Sequence, residues 1–275
     1  KTKSTDTETC YYVCLKGTDR YLNERGSYLA YWNSSEGLGD SGSRVKLYNA
    51  STYWYDRYSL GSYQTLATNA RNNVGTTAFT YPESAVTTFE NLVNEKLSGG
   101  STNITYEDAT TLDAAKTTLR KSINGPKISV IYKLKCTYNN CFIHAPLNWD
   151  ANQSLPLNTT EDKGIGWVFE NGTTTGTFKI KSADTGLYIA GTGSYTTSIS
   201  DATEYYVYGS PSVDANVIIG TGDDLYANKW FHGNSTTLLA WQSFAGANFW
   251  QCTEVSNEDF KALTDTHITN IKLLP

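Results

Sequence analysis

The chain has 275 residues, with 22 Lys and Arg against 27 Asp and Glu, and its net charge is −5. Charged residues make up only 18% of the chain, whereas 13% of the residues are aromatic, with 20 tyrosines and 7 tryptophans. This composition favours β structure and excludes a coiled coil, a collagen helix and wholesale disorder. The mildly acidic balance argues against a nucleic-acid partner, which would require a basic face, and no apolar run is long enough for a membrane span.

The first predicted element is an accessory β segment over residues 1–75. Strand-like stretches lie at 12–16, 21–23 and 44–48, and their spacing resembles a pattern that returns three times later in the chain. Three arrangements remain open: a leftover unit of a preceding domain, an extra β element packed on the rest, or one lobe of the main fold followed by an insertion. We favour the extra β element.

A helical hairpin is predicted over residues 76–126. Pro82 precedes a segment in which apolar residues recur at helical spacing from Val86 to Leu97. Thr105 and Asp108 have the spacing of a capping box, and a second apolar stripe then runs from Leu112 to Ile123. We therefore expect two antiparallel helices that pack on each other and on a neighbouring element.

Residues 127–256 contain three units of about forty residues with the same pattern. Each unit begins with two short strands around a polar turn, at 132–145, 178–190 and 217–228. Each unit ends with an aromatic strand, which contains Trp167 in the first unit, Tyr205 or Tyr206 in the second and Trp250 in the third. Such units cannot bury their apolar faces alone, so three of them around a pseudo-threefold axis predict a mainly β fold, a closed β-trefoil. Residues 257–275 are predicted to form a C-terminal tail with one short helix.

Two stretches of this region, 178–189 and 238–250, resemble the ricin-type β-trefoil family, in particular lectin-like modules on secreted and surface proteins of gut bacteria. The closing aromatics occupy the place of the family's Gln-x-Trp motif. Gly166 and Asn248 or Phe249 stand where that motif has Gln, and a Tyr replaces Trp in the middle unit. The resemblance implies a trefoil fold and a glycan or polysaccharide as the partner.

Loop aromatics beside Asp and Asn also indicate carbohydrate, because sugar rings stack on aromatic faces and their hydroxyls bond to carboxylates and amides. Trp167 and Trp250 are predicted to be core, whereas Trp241 is as compatible with the core as with the surface. The resemblance implies that a carboxylate from an early turn and an Asn plus an aromatic from later in the unit surround the sugar. The predicted carbohydrate-binding residues are Asp223, Asp224, Tyr226, Asn228 and Trp230 in the third unit, with Trp149 in the first unit as the fallback.

The sequence carries no positive sign of catalysis. It contains no nucleophile elbow, no zinc-protease motif and no phosphate-binding loop, and the five cysteines lack the spacing of a zinc site. His144 is predicted to be a half-buried strand residue. We therefore expect no enzyme, no metal and no cofactor, although a glycoside hydrolase fragment stays open, because it would need only two carboxylates about 5–10 Å apart.

Two functions from different classes fit these observations. The first is a non-catalytic carbohydrate-binding module of a secreted or cell-surface protein, which other domains of a larger parent protein would accompany. The alternative is a structural or protein-interaction trefoil, an adhesin or spacer that has lost its sugar sites, and the altered Gln-x-Trp pattern motivates it. The scarcity of charge and the Thr-, Asn- and Tyr-rich strands favour an extracellular or cell-surface location.

Overall fold

The computed structural model describes residues 11–18, 20–25, 28–33, 41–45, 49–145, 154–191, 194–212, 215–222, 227, 229–242 and 246–264. In chain order these residues form a small β-hairpin, a group of four helices and a large β structure, followed by one short helix. No helix of the described residues is long and apolar enough to cross a membrane.

The β-hairpin near the amino end confirms one of the three strand-like stretches predicted there, 21–23, and its second strand was not predicted. The stretch at 12–16 contributes only an isolated bridge at Cys14, and residues 46–48 of the third stretch lie outside the described residues. Strand β1 (Arg20–Arg25) pairs antiparallel with β2 (Tyr28–Asn33) in a two-stranded sheet. Tyr12 and Tyr21 are buried beneath it, with their rings edge to face at 6.2 Å. The side chains of Tyr28, Leu29 and Tyr31 are exposed. The described part of this hairpin therefore presents an apolar surface to solvent.

The second half of the segment predicted as β is helical, which corrects the assignment of residues 49–75. Helix α1 (Ala50–Arg57) is capped by Asn49, whose side chain accepts from the backbone N–H groups of Ser51 and Thr52. Helix α2 (Tyr63–Asn72) buries Tyr63, Ala67 and Ala70, which lie on one helical face. The prediction failed because a face made of tyrosine and small alanines gives a weak periodic signal in a stretch of high β propensity.

The two predicted helices are confirmed. Helix α3 (Glu83–Leu97) follows Pro82 and buries the apolar positions from Val86 to Leu97. Helix α4 (Tyr106–Lys121) begins with the predicted capping box, in which Thr105 and Asp108 each accept a hydrogen bond from the backbone N–H of the other. The hairpin predicted over residues 76–126 thus holds two helices as expected, and α1 and α2 before it bring the group to four.

The large β structure consists of three units of four strands each, and the repeat confirms the predicted β-trefoil. The first unit has β3 (Ile131–Cys136), β4 (Phe142–Ile143), β5 (Leu157–Asn158) and β6 (Gly166–Asn171). The second has β7 (Thr177–Ser182), β8 (Tyr188–Ala190), β9 (Ser194–Thr196) and β10 (Tyr205–Ser212). The third has β11 (Ala215–Gly220), β12 (Trp230–His232), β13 (Leu239–Trp241) and β14 (Trp250–Val255), and helix α5 (Asn257–Ala262) follows.

The pairing of the strands closes a barrel. The first and last strands of the units pair antiparallel in the order β3, β6, β7, β10, β11 and β14, and β14 pairs again with β3. The two inner strands of each unit form a hairpin that joins this barrel through β4, β8 or β12. A closed six-stranded barrel with three attached hairpins is a β-trefoil, and closure removes the free sheet edges of the barrel.

The closing aromatics of the three units occupy equivalent places in the core. Trp167, Tyr205 and Trp250 are all fully buried, which confirms the prediction for the two tryptophans. Each ring donates a hydrogen bond to a backbone carbonyl of its own inner hairpin. Trp167 Nε1 donates to Ile143 at 2.8 Å, the Tyr205 hydroxyl to Gly191 at 2.5 Å, and Trp250 Nε1 to Phe231 at 3.2 Å.

The helices and the barrel share one hydrophobic core. The ring of Phe79, between α2 and α3, meets Tyr132 and Phe169 of the barrel edge to face at 5.2 and 6.3 Å. Phe79 adopts a left-handed backbone with φ of 61°, which is rare for a bulky side chain, and its N–H donates to the carbonyl of Asn124 at 2.8 Å. The helices are therefore packed on the trefoil through buried contacts rather than attached by a linker alone.

Candidate binding site

Five of the six predicted carbohydrate-binding residues lie outside the described residues. These are Asp223, Asp224, Tyr226 and Asn228 in the third unit, together with the fallback residue Trp149 in the first. Their role in binding stays a prediction. The structure describes strands β11 and β12, which precede and follow the first four of these residues in the chain.

Trp230, the sixth predicted residue, is fully buried, so the prediction that it offers a ring face to a sugar is wrong. Its indole packs in a small cluster with Tyr208 and Ile218, and the Tyr208 ring centre lies 5.6 Å away. The neighbouring strand makes room for it, because a Cβ at Gly220 would lie 2.6 Å from Trp230 Cε3. The indole therefore lies directly against the backbone of β11.

The other two units explain why this burial was missed. The first residue of each inner hairpin is aromatic, and its barrel partner is Lys135 for Phe142, Lys181 for Tyr188 and Gly220 for Trp230. The two lysines lie over the rings of Phe142 and Tyr188 at 5.7 and 5.5 Å. In the third unit the glycine leaves the ring free to lie on the strand. The replacement of lysine by glycine at this barrel position was the feature of the sequence that could have indicated the burial of Trp230.

Trp241 is the exposed tryptophan of the third unit. It lies on β13 with 51% of its surface exposed, and Leu239 beside it is 42% exposed. The register of the hairpin sets Trp230 opposite Trp241 and His232 opposite Leu239, so all four side chains lie on one face. On this face Trp241 and Leu239 are exposed to solvent, whereas Trp230 and His232 are buried in the protein.

His232 and Asn248 fix the inner side of this face. The imidazole of His232 is buried, and its ring centre lies 5.7 Å from that of Trp241 at an angle of 32°. His232 Nδ1 lies 3.3 Å from Asn248 Oδ1, and Asn248 Nδ2 donates to the Phe231 carbonyl at 2.8 Å. Asn248 occupies the Gln place of the closing motif and is fully buried. It therefore holds the hairpin that presents Trp241.

A turn of the first unit lies beside the same hairpin. Asn139 Nδ2 donates to the carbonyl of Gly233, the residue that follows β12. Tyr138 is 62% exposed, and a Cβ at Gly246 would lie 3.7 Å from its ring. The junction of the first and third units therefore carries exposed aromatic rings and an amide, which is the kind of lining that sugar sites have.

The described residues provide no metal site, because no group of three His, Cys, Asp or Glu side chains among them is arranged to hold an ion. His144 follows β4 and is buried rather than half-buried. Its Nδ1 lies 3.4 Å from Asp162 Oδ1, which also accepts from the Gly164 N–H at 2.9 Å. This pair ties the end of β4 to the turn before β6, and we assign it a structural role.

Comparison with known proteins gives similarity in structure alone. No protein-family model matches the chain, and no curated protein matches it. Similar solved structures include the GlcNAcα1-4Gal releasing endo-β-galactosidase from Clostridium perfringens, with 16% identity over 50% of this chain and 35% of that chain and a TM-score of 0.39. The BEL β-trefoil is 13% identical over 47% of this chain and 96% of its own, with a TM-score of 0.39. SeviL, bound to the asialo-GM1 saccharide, is 16% identical over 47% of this chain and 100% of its own, with a TM-score of 0.38. The chain thus spans about a third of the endo-β-galactosidase, and its own β-trefoil is defined by the strand pairing.

Proposed function

We propose that the chain is a non-catalytic, lectin-like carbohydrate-binding module of a secreted or cell-surface protein. The observation that carries the proposal is the half-exposed indole of Trp241 on a trefoil hairpin that His232 and Asn248 hold in place. Because these contacts fix the ring before a ligand arrives, binding would cost little conformational entropy.

The chemistry of the surroundings supports a sugar. The apolar face of a pyranose stacks on an indole, and such a contact contributes on the order of 1 kcal/mol beyond the buried area. Asp223, Asp224 and Asn228 follow β11 in the sequence, and their oxygens and amide are of the type that sugar hydroxyls bind. The site we propose thus combines Trp241 with the loop between β11 and β12.

Trp241→Ala tests the proposal. A glycan-array screen identifies a ligand, and isothermal titration then compares the variant with the wild type. We expect the Kd to rise about tenfold or more, which corresponds to the loss of one stacking contact and its buried area. Tyr28→Ala, which removes an exposed aromatic outside the trefoil, is the control and should bind as the wild type does.

The exposed apolar face of the amino-terminal hairpin favours a second candidate, the interaction or spacer role. Leu29 and Tyr31 lie on one face of β2 and are 68% and 55% exposed. No binding across host, plant and microbial glycans would rule out the carbohydrate proposal and favour this one. Equal affinity of the wild type and Trp241→Ala for the identified glycan would instead show that the sugar site does not include Trp241.

A further inference from the structure

The helical region contains a cleft that the trefoil does not contribute to. Its volume is about 550 Å³, and it lies between the turn that joins α1 to α2 and the middle of α4. Arg57, Lys116 and Asp113 supply its charges. Its hydroxyl groups come from Tyr58, Ser59, Ser62 and Tyr63.

Two of these charges neutralise each other. Lys116 Nζ lies 2.6 Å from Asp113 Oδ1 and also 5.0 Å from the centre of the Tyr63 ring. The Tyr63 hydroxyl donates to the same carboxylate oxygen at 3.2 Å. Asp113 therefore receives donors from Lys116 and Tyr63 on one carboxylate oxygen, and its charge balances that of Lys116.

Arg57 is the cation of the cleft that Asp113 does not neutralise. It lies in the last turn of α1, its side chain is exposed at the cleft, and it forms no ion pair with a carboxylate among the described residues. Burial and the neighbouring Tyr106 and Asp113 raise the pKa of Tyr58 above its ordinary value, and the positive charge of Arg57 opposes this rise. The cleft thus carries a net positive charge on a planar group that binds carboxylates through two parallel hydrogen bonds.

Two tyrosines, Tyr58 and Tyr63, line the cleft, and a further aromatic pair connects α1 with α4. Tyr106, on α4, is 56% exposed and lies against Trp54 of α1 at 4.8 Å between ring centres. Tyr63 forms the buried floor. The rings provide apolar faces, and the serine and tyrosine hydroxyls both donate and accept hydrogen bonds.

We infer that this cleft is a second binding site, for a small carboxylate-bearing polyhydroxyl ligand of the uronic-acid class. Arg57 pairs with the carboxylate, and the ring hydroxyls of the ligand bond to Ser59, Ser62 and Tyr58. The guanidinium favours an anion, and the surrounding hydroxyls and rings favour a sugar acid over a bare inorganic ion. The site is independent of the Trp241 site, which lies in the trefoil.

The test is an NMR chemical-shift titration of the full chain with D-glucuronate, with D-glucose and inorganic phosphate as comparison probes. We expect glucuronate to shift the amide resonances of Ser59, Ser62 and Tyr63, and glucose at equal concentration to leave them unchanged. Arg57→Gln should weaken glucuronate binding about fivefold or more, because it removes the charge and the paired donors. Lys261→Gln removes the same charge on exposed helix α5 and should bind as the wild type does.

Several results would overturn the inference. These are the absence of glucuronate-dependent shifts in the cleft up to the solubility limit, equal shifts with glucose, tighter binding of phosphate than of glucuronate, and unchanged binding by folded Arg57→Gln. Thermal unfolding of the variant checks that it is folded, and Arg57→Lys, which keeps the charge, should restore part of the affinity. Trp241→Ala should leave glucuronate binding intact, so a failure of the trefoil proposal does not affect this one.

Discussion

Two tryptophans of one hairpin have opposite environments, although they lie on the same face and directly opposite each other in register. Trp230 is fully buried and Trp241 is half exposed. The difference arises across the neighbouring strand, where Gly220 leaves space for the indole of Trp230, whereas Trp241 contacts His232 and keeps about half of its surface exposed. Local sequence around the two tryptophans does not contain this information, because it depends on a residue in another strand.

At the residue scale we therefore predict that Trp230→Ala destabilises the protein. The cost should be about 3–5 kcal/mol in the free energy of unfolding, because a large buried ring is lost and a cavity remains. Urea unfolding measures it. Trp241→Ala is the matched control and should cost less than about 1 kcal/mol, since exposed substitutions have small effects. Equal costs for both variants would contradict the burial that the structure shows.

At the scale of single elements, one carboxylate organises the turn between β6 and β7. Glu204, just before β10, accepts hydrogen bonds from the backbone N–H groups of Thr173 and Thr174 and from the hydroxyls of Thr173 and Thr177. These donors favour the ionised form and hold the pKa of Glu204 far below its ordinary value of 4.5. The carboxylate thus links the first unit to the closing strand of the second.

The lowered pKa predicts how stability depends on pH. A carboxylate whose pKa is depressed by folding contributes stability above its unfolded pKa and loses that contribution as pH falls toward the folded pKa. The melting temperature of Glu204→Gln should therefore lie below that of the wild type at neutral pH. The gap should close progressively as pH falls below about 4.5, the ordinary value.

Glu95→Gln is the control for this comparison, because Glu95 is exposed and, among the described residues, its carboxylate forms an ion pair only with Lys96, at 3.2 Å. The melting temperature of Glu95→Gln should closely equal that of the wild type at every pH. A gap between Glu204→Gln and the wild type that stays constant from neutral to acid pH would show that the carboxylate charge contributes nothing to the turn.

At the scale of the whole molecule, repeat spacing and helical periodicity predicted most of the architecture. The three trefoil units, the capping box at Thr105 and the core positions of Trp167 and Trp250 all follow from patterns within short windows. Helices α1 and α2 did not, because Tyr63, Ala67 and Ala70 become apolar contacts only when α3 and the barrel cover them. The exposure of Trp241 likewise depends on the packing of three strands, so the sequence left it undecided.

The shared core predicts that the helices and the trefoil unfold together. In urea, the helical circular dichroism signal and the fluorescence of the tryptophans, five of which lie in residues 127–256, should give coincident transitions. Phe79→Ala removes the ring that meets Tyr132 and Phe169, so it should lower stability by about 3–5 kcal/mol and separate the two transitions. Two transitions already in the wild type would show that the helices and the barrel are energetically independent.

The hydrogen bonds of the closing aromatics have a consequence for how such repeats are to be recognised. Each unit has a buried ring with a hydrogen-bond donor at its far end. In each unit this donor bonds to a carbonyl of the unit's own inner hairpin. Indole N–H and phenol O–H both meet this requirement, so one copy can exchange tryptophan for tyrosine without any adjustment in the other two. A search for an aromatic ring with a hydrogen-bond donor at the closing position therefore finds all three repeats in this chain, whereas a search for the Gln-x-Trp sequence finds none.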